Sequence, residues 1–366
     1  MDNLYSEISV RNFKIKNRVV MPPMLCSGFT AEDGLLSLKN IERYRDRARG
    51  GVGLIIIEAT CINQSGRLSS TQLGLWSDNQ IKGFSRIAAY CHEYDTRVLV
   101  QLHHAGLAAA KEVTEDPIAP SDFQGSTRTN QLIKARALSL SEIATLQNEY
   151  VAAAMRAKKA GLDGVELHGA HGYLISQFFS PLVNRREDVY GGNLIQRTRF
   201  ATEIITKIRQ AAGPDFIISC RIGCDEPDIE SSIQIAQELE KAGVDMLHIS
   251  AGITHFIAGE IVDVKVPLHF HYNSIVYRGS QIKEKVKVPV IVVGGIKTPL
   301  DADYLVKNNY ADFVAVGRSL LVDAEWVNKG QKYLQVTPCL RCKTCRYHNH
   351  DSKCPQSRTK KYVAQN

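Results

Sequence analysis

Short apolar runs alternate with longer stretches of helical periodicity along most of the chain. The runs fall at 18–24, 52–60, 97–104, 164–168, 216–222, 246–250, 290–294 and 313–317. Several are apolar almost throughout, such as LIIIEA and VIVVGG, as parallel strands covered on both faces require. Between them, apolar positions recur at helical spacing over 79–94, 141–160, 193–212, 228–242 and 299–309. Ser139 followed by Glu142 marks a helix start. Gly161 and Gly243 mark helix ends just before the next strand. Eight strands alternating with helices predict an α/β fold, the TIM (β/α)8 barrel. A doubly wound open sheet is the competing arrangement. Against it, eight units fit the 366 residues and no GxGxxG follows the first strand.

Residues 105–138 are too long for a connector and predict an excursion over the barrel mouth. From about residue 331 the helix–strand pattern stops. The barrel is therefore assigned to 1–330 and a short Cys-rich C-terminal tail to 331–366.

Composition adds exclusions. Hydrophobic residues make up 44% and charged residues 23%, which rules out disordered and fibrous classes. The net charge of +7 forms no stripe before the last forty residues, so a nucleic-acid partner is not expected. A modest positive excess suits phosphate-bearing ligands. No apolar run approaches the ~20 residues of a membrane span, so no membrane partner is expected. The opening MDNLYSE lacks the basic region and apolar stretch of a secretion signal. Of nine cysteines, five (Cys26, Cys61, Cys91, Cys220, Cys224) are scattered over the barrel elements. That usage points to a reducing cytoplasm rather than a disulfide framework.

In such a barrel the chemistry sits at the C-terminal ends of the strands. Strand seven ends in Gly294-Gly295 and strand eight in Gly317-Arg318. Glycines let backbone N–H groups approach an anion, and an arginine complements it with a bidentate fork. A phosphate site is expected there; the competing reading is that these glycines only turn corners. Strand four ends in His168-Gly-Ala-His171-Gly-Tyr173. Residues 168 and 171 face opposite ways on a continuous strand, so they converge only if the strand breaks at Gly169. A metal site is one reading of the pair, but no carboxylate or third histidine stands at an obvious ligand spacing. Strand three carries Gln101 and His103-His104, and strand five Arg221. A buried arginine needs an anionic or carbonyl partner. The Gln101 amide suits a heterocyclic edge bearing N–H and C=O side by side.

Together these residues resemble the old yellow enzyme family, the FMN-dependent ene-reductases and NADH:flavin oxidoreductases. The resemblance covers roughly residues 4–330. Its most specific stretch is HGAHGYLISQFFSPLVNRREDVYGGNLIQRTRF at 168–200. NRVVMPPM at 17–24, EAT at 58–60, QLHHAG at 101–106, APS at 119–121, VGGI at 293–296 and AVGRSLL at 315–321 support it.

The resemblance implies FMN at the barrel mouth, with Pro23, Met24 and Ala59 facing the ring. It implies Gln101 on the pyrimidine edge, Arg221 near N1 and O2, and Gly294, Gly295, Gly317 and Arg318 on the phosphate. His168 and His171 would anchor the carbonyl or nitro oxygen of an activated C=C substrate. Hydride would pass from the flavin to the β-carbon, and Tyr173 would protonate the α-carbon. NADH or NADPH would reduce the flavin at the same site in ping-pong order. Homo-oligomers are common in the family.

Two departures stand out. Where many members place a Thr or Cys after Pro-Met, this chain has Leu25, with Cys26 one residue later; Cys26 is expected near the flavin. The tail carries Cys339-x2-Cys342-x2-Cys345-x8-Cys354-Pro. Longer relatives, such as dienoyl-CoA reductase and trimethylamine dehydrogenase, bear a four-cysteine 4Fe–4S site just after the barrel. An Fe–S cluster, zinc or free thiols are the readings here, with His348 and His350 as further donors. Residues 252–278, with His255, His269, His271 and Tyr272, are expected to shape the substrate pocket. The expected activity is NAD(P)H-dependent reduction of activated C=C bonds. Its rivals are a flavin or oxygen oxidase, an electron-transfer subunit using the tail, and a metal-dependent aldolase or isomerase.

Overall fold

Eight short parallel strands close on themselves. They are β1 Val19–Met21, β2 Leu54–Cys61, β3 Arg97–His103, β4 Gly164–Gly169, β5 Ile217–Gly223, β6 Met246–Ser250, β7 Val290–Val293 and β8 Phe313–Ala315. Neighbours in sequence are neighbours in space, and β8 pairs with β1 to close the barrel. This is the expected TIM barrel. The computed structural model describes residues 3–257, 264–347 and 351–356.

The helices predicted from periodicity form close to their expected bounds, as Ile81–His92, Leu140–Lys159, Leu194–Ala212, Ile229–Lys241 and Pro299–Lys307. Ser139 caps its helix in a reciprocal box with Glu142. Gly161 and Gly243 take φ of 84° and 94° just past their helices, a left-handed conformation that favours glycine. The first strand stops at Met21, short of the apolar run. Pro22 and Pro23 have no N–H to continue the ladder. A helix at Leu38–Arg49, capped by Ser37, lies outside the helices read from the sequence. So does the hairpin of Ile8–Val10 and Phe13–Ile15, whose strands are too short to show periodicity.

The barrel interior changes character in steps of two residues, the period at which one strand face repeats. At its lower end Leu99, Ile217, Met246, Ile291 and Phe313 form an apolar cluster, plugged by Val10 and Ile15 of the hairpin. One step up stand Gln101, Glu166, Ser219 and His248. Another step up stand His103, His168, Arg221 and Ser250. Register aligns these layers across β3, β4 and β5, where Gln101 pairs with Glu166, Glu166 with Ser219, and His168 with Arg221; between β5 and β6 it steps by one layer, pairing Arg221 with His248. A separate, larger apolar layer packs the outer strand faces against the helices.

The excursion 105–138 folds into a small sheet of Ile118–Ala119, Phe123–Ser126 and Leu132–Ala137. Its Leu107, Ala119 and Ala135 pack on Val183 after β4 and on Ile253 and Ile257 after β6. It thus leans on the loops at the C-terminal end of the barrel, as expected.

Candidate active site

Glu166 is the hub of the polar layer. Its Oε1 accepts from Gln101 Nε2 at 2.8 Å. Its Oε2 accepts from the Ser219 hydroxyl at 3.3 Å and lies 2.9 Å from His248 Nδ1. All four residues are buried. Burial holds His248 below the usual histidine range despite the carboxylate beside it, so the neutral ring donates its Nδ1–H. With its Nε2 committed to Glu166, Gln101 keeps its carbonyl oxygen as an acceptor.

One layer up, Arg221 Nη2 donates to Ser250 Oγ at 3.0 Å, and Ser250 Oγ lies 2.7 Å from His171 Nε2. Burial brings the Arg221 guanidinium down to about 10, while Glu166 opposes the shift. Arg221 remains a cation at neutral pH. Its Nε is buried without a partner among the described residues. An unpaired buried donor costs about 1–3 kcal/mol, so it marks a place where a ligand atom belongs.

The end of β4 brings the expected trio together. The strand stops at Gly169, and His171 turns with φ of 61°. This turn sets the His168 and His171 rings 5.0 Å apart, edge to face. Tyr173 lies 4.8 Å from His168 and 6.2 Å from His171. His103 completes the group, 4.5 Å from Tyr173 and 5.3 Å from His168. Both ring nitrogens of His103 are buried without partners among the described residues. Burial, with His104 adding, takes His103 down to about 3. Burial first, then His171 and His103, hold His168 well below its ordinary value. Burial pushes the Tyr173 phenol up to about 12. At neutral pH His103 and His168 are therefore uncharged and the phenol keeps its proton. His103, Glu166, His248 and Ser250 join the site without a role that the sequence alone predicts. Strand parity was the available signal: His103 shares a face with Gln101, and Glu166 with His168.

The glycine-rich ends of β7 and β8 border a cavity of about 320 Å³. Pro22, Pro23, Met24, Arg221, Gly294, Gly295, Gly317 and Arg318 line it, so most of the expected cofactor residues meet there. Gly294 and Gly295 have φ of 147° and 72°, and a Cβ on Gly294 would lie 2.6 Å from the Asn273 side chain. Side chains are therefore excluded where backbone must approach a ligand. The residues lining it fit FMN, with a cationic unpartnered donor and an open glycine-arginine cradle in one crevice; Gln101 does not border this cavity. Ala59 is buried on β2, and its carbonyl accepts from Gln72 Nε2 at 2.9 Å.

Cys26 stands apart from this group. Its N–H donates to Glu58 at 2.7 Å. The side chain packs in a cluster with Phe29, Leu321 and Tyr347, against Cys345 and Cys354 of the tail. Burial pushes its thiol up to about 12, opposed by Arg43. Beneath the Met24–Cys26 turn, Arg43 donates to the Met24 carbonyl at 2.8 Å and pairs with Glu58 at 3.3 Å, both side chains buried.

Cys339, Cys342, Cys345 and Cys354 border a second cavity, of about 420 Å³. Among the described residues no group of three or more Cys, His, Asp or Glu is arranged to hold a metal ion. The expected Fe–S or zinc site is thus not supported. His348 and His350 lie outside the described residues, as does the His255 side chain. His269 and His271 are exposed. Tyr272 donates to the Asp301 carbonyl at 2.7 Å and joins Phe270, Tyr277, Tyr304 and Tyr310 in an outer aromatic cluster. These residues do not join the His–Tyr group. Among the described residues no helix is long and apolar enough to cross a membrane.

Comparison with known proteins agrees with the geometry. The profile of the NADH:flavin oxidoreductase / NADH oxidase family matches residues 3–336. An NADH oxidase of Thermoanaerobacter brockii is 42% identical over 350 residues, covering 93% of this chain and 52% of its own length. An NADPH dehydrogenase of Bacillus cytotoxicus is 36% identical over 330 residues, covering 87% of this chain and 89% of the relative. A 2-naphthoyl-CoA reductase complex superposes with a TM-score of 0.85 at 23% identity, over 94% of this chain and 54% of that one. A morphinone reductase variant in complex with tetrahydroNAD does so with 0.77 at 26%, over 92% of both. The chain thus spans about half the length of the oxidase and of the naphthoyl-CoA reductase, and nearly all of the dehydrogenase and the morphinone reductase.

Proposed function

The chain belongs to the NADH:flavin oxidoreductase / NADH oxidase family, and we propose that it takes reducing equivalents from NADH or NADPH and reduces activated C=C bonds of α,β-unsaturated carbonyl or nitro compounds. FMN, when bound, supplies the two-electron chemistry. Arg221 would hold the polar edge of the flavin and stabilise negative charge there, with Glu166 as its buried counter-ion. Gln101, oriented by Glu166, would offer its oxygen to a ring N–H. Gly294, Gly295, Gly317 and Arg318 would take the phosphate.

The observation that carries this reading is the group of four rings at the barrel mouth, two of them held neutral by burial. His168 and His171 would donate hydrogen bonds to the substrate oxygen. A neutral imidazole donates without surrendering its proton, so the developing enolate charge is stabilised rather than quenched. Tyr173, protonated up to about pH 12, would deliver its proton to the α-carbon. A single mouth would serve nicotinamide and enone in turn, which gives ping-pong kinetics. The name of the 42%-identical relative favours a second reading, an NADH oxidase passing electrons to oxygen.

The two separate in an anaerobic experiment. FMN-loaded protein is reduced with NADH or NADPH and mixed with 2-cyclohexenone. Rapid reoxidation without oxygen is expected. Reoxidation by oxygen alone would leave only the oxidase.

A further inference from the structure

We infer that Arg341, from the cysteine-rich tail, is a second phosphate-binding arginine of the cofactor crevice. This rests on reading that crevice as the FMN site. Three observations carry it. Arg341 borders the same cavity as Gly294, Gly295, Gly317 and Arg318. Its guanidinium donates to the Gly295 carbonyl, which lays it against the glycine turn, with Nη2 3.6 Å from where a Gly295 Cβ would stand. Its backbone is left-handed, with φ of 52°, an uncommon conformation for a residue with a side chain.

The chemistry follows from the donor count. A guanidinium carries five N–H donors in a rigid fork. Only the bond to Gly295 engages them among the described residues. The glycine turn and Arg318 supply backbone donors and one cation. A phosphate dianion has more acceptor capacity than one arginine can satisfy, and a second fork completes the cradle.

The position of Arg341 within the cysteine motif gives the tail a role without metal. Cys339 and Cys342 bracket Arg341, and Cys339 borders both the phosphate cavity and the thiol cavity. The tail acts as a strap over the cofactor phosphate, and the chemical state of its thiols sets how firmly the strap holds.

The test is flavin affinity, read by quenching of flavin fluorescence on apoprotein. Riboflavin, which lacks the phosphate, is the control. Arg341 is exposed, so Arg341→Ala leaves the barrel folded. FMN affinity is expected to fall about ten- to a hundredfold, the worth of a charge-assisted contact, with riboflavin affinity unchanged and Arg341→Lys in between. Tight FMN binding by wild type with no loss in Arg341→Ala would overturn the inference and leave the proposed function standing. So would equal losses for FMN and riboflavin. No flavin binding by wild type would overturn both. Alkylation of the tail thiols with N-ethylmaleimide should weaken FMN binding in wild type but not further in Arg341→Ala. An equal effect on both proteins would refute the strap.

Discussion

The His–Tyr group and the glycine-arginine crevice solve opposite electrostatic problems. In the His–Tyr group, His103 and His168 are buried and held neutral, and each meets the Tyr173 ring edge to face. At the glycine-arginine end, Arg318 and Arg341 are exposed and the backbone is open. A fixed charge is useful where the ligand is already charged, as a phosphate is. A neutral donor is useful where charge appears only during reaction, because it binds the uncharged ground state weakly and the charged transition state strongly. Arg221 stands between the two, a buried cation balanced by Glu166 one layer below.

The contrast breaks most sharply at Tyr173. Tyr173→Phe should slow enone reduction by about 10²–10⁴-fold, the usual worth of a general acid. Reduction of the flavin by NADH should hardly change. Stopped-flow measurement of the two half-reactions separates them. An equal fall in both would mean that Tyr173 shapes the mouth rather than donating a proton.

Arg318→Ala probes the other end. FMN affinity should fall about ten- to a hundredfold and riboflavin affinity should hold. The loss should shrink as salt is raised, because this end is exposed and screened. A salt-independent loss would place Arg318 in the scaffold instead.

The neutral end also makes a pH prediction. His103 titrates near 3 and His104 near 4 in the folded protein, and His168 and His248 are lowered as well. In the unfolded chain all four titrate near 6.5. Below that value the unfolded state binds more protons, so stability present above about pH 6.5 is lost as pH falls toward 4. The slope is at most about 1.4 kcal/mol per pH unit for each histidine. Melting curves between pH 7 and 5 should show it, and His103→Gln should flatten the slope by about one proton. An unchanged slope would mean that His103 charges freely in the folded state.

How much of this was legible in the sequence follows the same division. The glycine-arginine end was readable because glycines before an arginine at strand ends are local signals. His168, His171 and Tyr173 were readable because they lie within six residues of one another. The Glu166 hub was not. It depends on the register by which Gln101 meets Glu166 across β3 and β4, and register is a long-range property. Arg341 was hidden for the same reason: 46 residues separate it from the carbonyl it meets at Gly295. The cysteine spacing is plain, yet spacing along the chain does not fix where thiols point, and among the described residues no three such ligands are arranged to hold a metal ion.

Cys26 offers the smallest effect and decides which side of the comparison the β1 turn belongs to. Met24, two residues earlier, borders the crevice, whereas the Cys26 thiol packs with Phe29, Leu321 and Tyr347 beneath the tail. What the turn needs from residue 26 is its N–H, held by Glu58, and any residue except proline supplies that. Cys26→Ala should therefore cost about 1 kcal/mol of stability through the lost sulfur contacts. The flavin absorbance maximum and its midpoint potential should stay within error of wild type. A clear change in potential with stability preserved would move Cys26 into the crevice and restore the role expected of it from the sequence. By contrast, Arg43→Met would leave Glu58 a buried carboxylate without its ion-pair partner and release the Met24 carbonyl. That variant should disturb both stability and flavin spectrum, because it loosens the turn that the crevice and the tail share.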